Sequence, residues 1–431
     1  MSKKFQKAVS AVLATLMLAS TVAGCSKAKT QSSEPEATKP VTLDFVWFTD
    51  GIEGEVMKGI INDYTAKNSN ITINLIEVPF KELNTKLRTM ISGGQPPALA
   101  RVTEPGTFFN NALNLSDYLG GTDAFSSQFI DSIKPYYVKD NKVVAAPMDV
   151  TANGLIYNKT LFKKAGIEVP ASADKAWTWD QIFAISKQLV DKGGAKYGMV
   201  CDFTPHRFST ILYEFGGSLF NDDASKAVIN DANGVKALEM FIKLHKEKVI
   251  PESVWLGSEN PNTLFRTGTI GMHLAGNWML SSYKDITDFE WGVTYLPKGT
   301  INSSVPGGKY VMAFNNTKVE KETAEFIKYL TSKEVNTKYC TDSLFMSPRK
   351  DCSDLNYSFG KEMYKIFTEE LKNTTPKAAN DWSRTDLMPK ITTDYKANIV
   401  DALAGKITAQ QAMDNIAAVA DKAIAESKAK Q

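Results

Sequence analysis

The stretch 41-VTLDFVWFTDGIEGEVMKGIINDYTAKNSNITINLIEVPFKELNTKLRTMISGGQPPALARV-102 decides the fold, because three strand-like runs alternate in it with two helical patterns. The strand-like runs are 41–48, 71–78 and 98–102. Apolar side chains at helical spacing fill the two intervals, and 93-GGQPP-97 ends the second helix because adjacent Gly and Pro interrupt helical backbone. This β-α-β-α-β order predicts an open α/β sheet with parallel strands.

The rest of the chain continues as a mixture of strands and helices. Residues 153–157 are strand-like, and Thr178 with Gln181 forms a capping-box pattern in front of a helix that ends at Gly193-Gly194. Further helical patterns occupy 235–244, 324–331, 395–404 and 409–427. The α/β character is therefore predicted for the whole body.

The first 24 residues have the pattern of a secretory signal peptide. Three Lys precede a short apolar run at 8–19, which is shorter than the roughly 20 residues that span a bilayer. The run ends in 22-VAGC-25, which resembles the lipobox of bacterial lipoproteins, so Cys25 is expected to be the lipidated first residue of the mature chain. Residues 25–40 then form the lipidated cysteine and a flexible polar tether. A plain signal peptide with a chance cysteine is the alternative.

The charge balance argues against a nucleic-acid partner. The formal net charge of +2 falls to −1 when residues 1–24, with three Lys and no acid, are removed. A nearly neutral body lacks the clustered basic face that phosphates require. Cys201, Cys340 and Cys352 remain, at spacings that suit no zinc site, and we expect free thiols, with a Cys340–Cys352 disulfide as the alternative.

Motifs of catalysis are missing from the sequence. It contains no G-x-S-x-G, H-E-x-x-H, Walker A or G-x-G-x-x-G pattern. Of the three His, only His206 in a loop is a candidate for touching a ligand. The sequence therefore predicts a protein that is not an enzyme and uses no metal or cofactor. Two carboxylates for glycoside hydrolysis would leave no local motif, so a secreted carbohydrate-active enzyme stays an alternative.

Five separated stretches stand in order behind the lipobox. They are 93-GGQPP-97, 146-AP-147 with 154-GLIYNKTLF-162, 177-WTWD-180, 265-FRTGTIGMHLAGNW-278, and 295-YLP-297 with 324-AEFIKYL-330. Together they resemble the extracellular solute-binding proteins of sugar ABC importers, the class that includes maltose-binding protein. The family's usual Asp after the Gly-x-x-Pro turn is Ala98 here, a change at a position with a structural role.

The resemblance implies two lobes, each an open, mostly parallel sheet flanked by helices, joined by hinge strands. Lobe 1 is expected to comprise 41–150 and 309–345, and lobe 2 to comprise 151–308 and 346–431. The chain would first cross between lobes near 148–153 and cross again near 307–313. Ligand would lie in the cleft at the carboxyl ends of the strands, and the lobes would close around it by a hinge motion.

The resemblance also implies where ligand contacts lie. Trp278 is the leading candidate, because the apolar face of a pyranose ring stacks on an indole ring. The other candidates come from strand ends, hinge strands and late loops around the cleft: Trp47, Asp50, Glu53, Glu104, Asp149, Thr151, Phe203, Asn277, Gly308, Tyr310, Arg349 and Trp382. The polar members would exchange hydrogen bonds with sugar hydroxyls.

The prediction from sequence is a monomeric binder, lipid-anchored at the extracytoplasmic face of a bacterial membrane. It would capture a carbohydrate, an oligosaccharide in preference to a monosaccharide, and deliver it to the permease subunits of an ABC importer. The alternatives are a sugar sensor of the same fold and a binder of a polyamine or peptide.

Overall fold

The first strands and helices form as the sequence predicts. The structure is a computed structural model that describes residues 39–49, 51–352, 354–384 and 386–429. The predicted signal peptide, Cys25 and nearly all of the tether lie outside the described residues. The opening elements are β1 (Val41–Trp47), α1 (Glu53–Thr65), β2 (Ile71–Glu77), α2 (Leu83–Ser92) and β3 (Leu99–Val102).

Strands and helices alternate over the remainder of the described chain. The strands are β4 (Val138–Lys139), β5 (Lys142–Val143), β6 (Ala146–Thr151), β7 (Asn153–Asn158), β8 (Tyr197–Cys201), β9 (Ile270–Gly276), β10 (Trp291–Thr294) and β11 (Gly307–Ala313). The helices are α3 (Thr122–Ser126), α4 (Lys134–Tyr137), α5 (Lys159–Ala165), α6 (Trp179–Gln188), α7 (Pro205–Glu214), α8 (Ala232–Lys246), α9 (Glu252–Trp255), α10 (Pro261–Arg266), α11 (Met279–Tyr283), α12 (Glu320–Leu330), α13 (Lys333–Ser343), α14 (Lys361–Asn373), α15 (Pro376–Trp382), α16 (Met388–Leu403) and α17 (Ala409–Lys428).

The first large sheet has five strands in the order β2-β1-β3-β11-β6. β1 pairs in parallel with β2 and with β3, as the β-α-β-α-β pattern predicts. β11 is antiparallel to both of its neighbours, β3 and β6. Helix α13 packs on α1, so the chain returns to this sheet after β11.

The second large sheet has the order β10-β7-β9-β8. β8 and β9 are parallel, but β7 is antiparallel to both β9 and β10. Strands β8, β9 and β10 therefore run in one direction and β7 alone runs against them, a reversal that the prediction of a mostly parallel sheet did not include. Parallel neighbours need a crossover connection, whereas β7 enters directly from the first sheet after one intervening residue, and no sequence motif announced that.

Ala152 is the residue between β6 and β7, and Asn277 holds it from both sides. The backbone N–H of Asn277 donates to the Ala152 carbonyl oxygen at 3.2 Å. The Asn277 side-chain Oδ1 accepts from the Ala152 N–H at 3.0 Å. The passage from one sheet to the other is therefore fixed to the end of β9. After β11 and α13, helix α14 packs on β7 and β10 of the second sheet.

Two local predictions are confirmed in the second half of the fold. Thr178 caps α6 by accepting from the Gln181 N–H at 3.3 Å, and Gln181 accepts from the Thr178 N–H at 2.8 Å. The helix continues through one π-helical turn and ends at Gly194, whose φ of 84° favours glycine. Cys201, Cys340 and Cys352 are buried free thiols, as expected.

A buried ion network holds the first sheet together around Arg101 of β3. The guanidinium is fully buried, and its Nη1 donates to Glu53 Oε1 at 2.8 Å and to the Phe48 carbonyl at 2.6 Å. Its Nη2 lies 3.8 Å from Asp149 Oδ2 on β6. Asp149 in turn lies 3.8 Å from Lys309 Nζ on β11. The network therefore joins four elements of the sheet and its first helix.

Replacing Arg101 with Met is expected to lower the free energy of unfolding by about 3–5 kcal/mol, because Glu53 and Asp149 would stay buried without the guanidinium that faces them. Urea unfolding of the purified mature chain measures the change. Arg88→Met, on the exposed surface of α2, is the matched control and should stay within about 0.5 kcal/mol of the parent. Equal losses in both variants would contradict the structural role of the network.

Candidate functional site

A cavity of about 290 Å³ lies where the two large sheets meet. Its wall is formed by residues at strand ends of both sheets, by the start of β11 and the segment before it, and by residues of several helices: Phe48, Phe80, Thr103, Glu104, Tyr136, Thr151, Thr204, His206, Arg207, Trp278, Pro306, Gly307, Gly308, Lys309, Trp382 and Thr392. The carboxyl ends of strands are where open α/β sheets bind ligands. The cavity is therefore the candidate binding site.

Five of the residues proposed from the sequence lie on this wall. They come from both sheets and both crossing segments: Glu104, Thr151, Trp278, Gly308 and Trp382. His206, the one candidate among the histidines, is also there. Their contact with a ligand stays a prediction, but the fold brings them to one place.

Three proposed residues, two of the first sheet and one at the start of α1, lie behind the wall. Trp47 is fully buried and packs edge-on against Phe45, with ring centroids 5.1 Å apart. Glu53 and Asp149 are also fully buried, in the Arg101 network. The expectation that these acids face the cleft is corrected by their position, because an ionised carboxylate this deep needs a cationic partner.

Two other proposed residues support the wall from inside. Asn277 is fully buried and its Oδ1 is occupied by the Ala152 N–H. Tyr310 is fully buried and stacks on Tyr136 with ring centroids 6.1 Å apart. Strand alternation explains Tyr310, since it follows Lys309, which does reach the cavity.

Two further proposed residues, Phe203 and Arg349, are not among those that line the cavity. Phe203 is 38% exposed and packs edge-on against Trp255. Arg349 is bound within its own loop and to the end of α12: its Nε donates to Asp351 Oδ1 at 2.8 Å and its Nη1 donates to the Thr331 carbonyl at 2.6 Å. Asp50 lies outside the described residues.

Trp278 is half-buried and is held by its neighbours on more than one side. The guanidinium carbon of Arg207 lies 4.7 Å from the centre of the indole ring, and Lys309 Nζ lies 5.9 Å from it. The ring also folds back over Gly276, where a β-carbon would come within 1.9 Å of the Trp278 Cζ3 atom. Gly276 is therefore required for this ring position.

A chain of polar contacts fixes Arg207 from the second sheet. Its Nε lies 3.4 Å from Asp202 Oδ2, and its Nη1 donates to Asn153 Oδ1. His273 lies between Asp202 and Tyr283, with its ring nitrogens 2.9 Å from Asp202 Oδ1 and 2.8 Å from the Tyr283 hydroxyl. Burial acts to raise the pKa of Asp202, but His273 and Arg207 hold that pKa below its usual value.

Two titratable groups on the wall are affected by burial. Burial raises the pKa of Glu104 and lowers the pKa of His206 well below its usual value, because both charged forms are poorly solvated there. The His206 ring meets Trp382 edge-on at 4.6 Å between ring centroids. Both effects favour uncharged side chains at these positions.

Sequence reasoning missed most of the cationic and aromatic contribution to the wall. Arg207 and Lys309 were not proposed, although each adjoins a candidate or a hinge residue in the sequence. Phe80 and Tyr136 were missed as well. For Lys309 the sequence offered one signal, its position after Gly308 in the predicted second crossing. Arg207 reaches the cavity because it lies in the first turn of α7, and no sequence motif marks that position.

A larger groove of about 790 Å³ lies away from the cavity, beside α5 and β10. It is lined by four lysines and several aromatic side chains, and it borders the second sheet only. Within the described ranges, no group of three or more His, Cys, Asp or Glu is placed to hold a metal ion. In the same part of the chain, no helix combines the length and apolarity needed to cross a membrane.

The fold and the site define a protein that holds a solute between two α/β lobes. A family model for bacterial extracellular solute-binding proteins matches residues 59–365, and the chain belongs to this family. The multiple sugar-binding protein of Streptococcus mutans is 23% identical over 340 residues, covering 74% of this chain and 77% of that protein. The sn-glycerol-3-phosphate-binding periplasmic protein of Pectobacterium atrosepticum is 24% identical over 356 residues, covering 75% and 77%.

A solved structure shares the fold over nearly the whole body. It is an ABC substrate-binding protein from Listeria monocytogenes in complex with cycloalternan, with a TM-score of 0.78 and 22% sequence identity. The match covers 89% of this chain and 99% of that one. The two-lobed fold predicted from the sequence is thereby confirmed.

Substituting Gly276 with Ala is expected to displace the Trp278 ring, because the added carbon and the ring would occupy the same space. Solute binding should weaken by about tenfold, which equals roughly 1.4 kcal/mol, and the near-UV circular dichroism of tryptophan should change. Gly59→Ala, at an exposed helix position with open space around it, should leave both unchanged. Unaltered binding in Gly276→Ala would contradict a role for this ring position.

Proposed function

We propose that this chain captures a carbohydrate in the cavity between its two sheets. The observation that supports this is the composition of the wall, where aromatic rings alternate with hydroxyl and cationic donors. Phe48, Phe80 and Tyr136 come from one side and Trp278 and Trp382 from the other. Rings on both sides suit the apolar faces of sugar rings, and the polar groups between them suit hydroxyls.

We further propose that the chain delivers this sugar to the permease subunits of an ABC importer. The family membership and the names of the sugar-binding relatives support the proposal. The passage between sheets consists of two short crossings, at 151–153 and at the start of β11, and such crossings can act as hinges. Lobe limits at 150/151, 308/309 and 345/346 are part of this proposal, as is monomeric action.

A polyamine or peptide ligand is a weaker candidate. A polyamine needs several ionised acids facing it, and among the described residues Glu104 is the one carboxyl on the wall. The same observation disfavours glycoside hydrolysis, which uses a pair of carboxylates. We therefore propose binding without catalysis. A sugar sensor of the same fold differs from an importer component only in its membrane partner.

A thermal-shift screen of the mature chain against mono- and oligosaccharides tests the carbohydrate proposal. A ligand at a hundred times its dissociation constant stabilises the folded form by about 2.7 kcal/mol, so a bound sugar raises the unfolding midpoint. Trp278→Ala should abolish the shift. Trp177→Ala removes a half-buried Trp that stacks on Phe162 outside the cavity, and the shift should persist. A shift with polyamines or peptides but with no sugar would sink the carbohydrate assignment.

We also propose that Cys25 is lipidated and anchors the mature chain outside the cytoplasm. The support is the 22-VAGC-25 motif behind an apolar run, since acyl chains bind membranes by about 0.8 kcal/mol per buried methylene. Cys25→Ser should release the protein from the membrane fraction and remove metabolic palmitate label. Cys352→Ser, a buried thiol of the body, is the control and should retain both. A membrane-bound, unlabelled parent would refute the anchor.

A further inference from the structure

Phe80 differs from the other Phe, Tyr and Trp side chains of the cavity wall in its exposure to solvent. It is 57% exposed. The other four rings are buried or half-buried: Phe48, Tyr136, Trp278 and Trp382. Single exposed apolar side chains are common on protein surfaces, but among the strongly exposed large apolar side chains of the described residues Phe80 is the one that lines the cavity. It therefore lies at the rim, where the wall meets solvent.

The Phe80 ring rests on a second ring that is fixed in the core. Its centroid lies 5.0 Å from that of Phe48, and the two ring planes are inclined by 50°. On Phe48, in turn, the guanidinium carbon of Arg101 lies 4.3 Å from the ring centre, so the buried ion network holds this base in place. Because more than half of the Phe80 side chain is exposed, it keeps apolar ring surface available away from Phe48.

The backbone that carries Phe80 is constrained as well. Pro79 precedes it with a φ of −60° and a ψ of 140°, and the proline ring limits that φ. Phe80 begins a 3-10 turn in which the Glu82 N–H donates to the Pro79 carbonyl at 2.9 Å. The turn runs directly into α2, whose first residue, Leu83, is buried. The exposed ring is therefore held in one place, and binding a ligand there needs little further ordering of the protein.

The cavity is small for a chain of several sugar rings. Its volume of about 290 Å³ lies just below the roughly 300–1,000 Å³ of pockets that enclose most of a drug-sized ligand. An oligosaccharide held by the inner rings Tyr136, Trp278 and Trp382 would therefore extend past the rim. The apolar face of its next sugar ring would meet Phe80 there, and stacking would remove the exposed phenyl surface from water.

We propose that Phe80 is an outer stacking platform, which holds the sugar unit next to the enclosed one at the rim of the cavity and so selects chains of two or more units. This inference rests on the proposed carbohydrate function and adds the size of the ligand and the residue that selects it. A phenyl ring has no hydrogen-bonding group, so Phe80 acts by apolar contact alone. It therefore responds to the presence of the second ring rather than to its pattern of hydroxyls.

Calorimetric titration of the mature chain with sugars of increasing length tests the proposal. The series are glucose with maltose and maltotriose, glucose with cellobiose and cellotriose, and xylose with xylobiose and xylotriose. In a series that binds, the unit that reaches the rim should tighten binding to the parent by about fivefold to tenfold. Phe80→Ala should lose this gain for the longer sugars and bind the monosaccharide as the parent does, because the inner rings are unchanged.

Three further variants test the assignment to this ring. Phe80→Tyr should keep most of the gain, because an aromatic face remains. Phe203→Ala removes an exposed Phe that does not line the cavity; it is the matched control and should bind like the parent. Phe80→Trp places a fluorophore at the rim, and its emission, measured as the difference from the parent, should shift to shorter wavelength with the longer sugars and not with the monosaccharide. Thermal unfolding shows whether each variant is folded.

The outcomes separate this inference from the function on which it rests. Equal or tighter binding of the monosaccharide by the parent would overturn the selection by length and leave carbohydrate binding standing. A folded Phe80→Ala variant that keeps the full gain with length, or that loses the same factor for every sugar, would also overturn it. Binding of no sugar in any series would remove both proposals together.

Discussion

The buried guanidinium of Arg101 is the constraint on which the first half of the structure depends. It is enclosed by Glu53, by the Phe48 carbonyl and by Asp149, so β1, α1, β3 and β6 must meet around one charge. A buried ion pair contributes little net stability, but removing one partner is costly. The network therefore acts to fix the geometry of these elements. Its last member, Lys309, carries that geometry to the wall of the cavity.

The second half of the site is built by a different chain of contacts. Tyr283, His273 and Asp202 lead to Arg207, and Arg207 covers the ring of Trp278. Each contact joins an element of the second sheet to the next. The two chains of contacts approach each other at Trp278, where Lys309 and Arg207 both face the indole. In the function that we propose, closure of the lobes would bring a sugar into contact with both at once.

Local chemistry made much of the fold predictable. The capping box at Thr178 and the stop at Gly194 need only a few adjacent residues, and both form as expected. The β-α-β-α-β opening likewise follows from periodicity. The direction of β7 did not follow, because strand order depends on pairing between distant segments. In the second sheet, β7 is antiparallel to both β9 and β10, and the sequence did not predict this.

Site residues could be predicted from the sequence where they lie at strand ends. They could not be predicted where a contact with a residue distant in sequence decides which way the side chain is placed. Glu53 and Asp149 lie in the sequence where acids of the cleft would be expected, but both are buried beside Arg101, which is distant in sequence. Phe48 and Trp47 differ by one residue in strand register, which places one ring on the cavity wall and the other in the core. Arg207 lacked any motif and Lys309 had only its place after Gly308 as a signal, since the two side chains converge on Trp278 in three dimensions.

A crystal structure of the mature chain with the sugar that stabilises it most is the most direct test of the central claim, that the solute is held between the two sheets. The account predicts a sugar in the cavity of about 290 Å³, in contact with Trp278 and with residues that follow strands of both sheets. A sugar bound instead in the groove beside α5 and β10, or against one sheet alone, would contradict it.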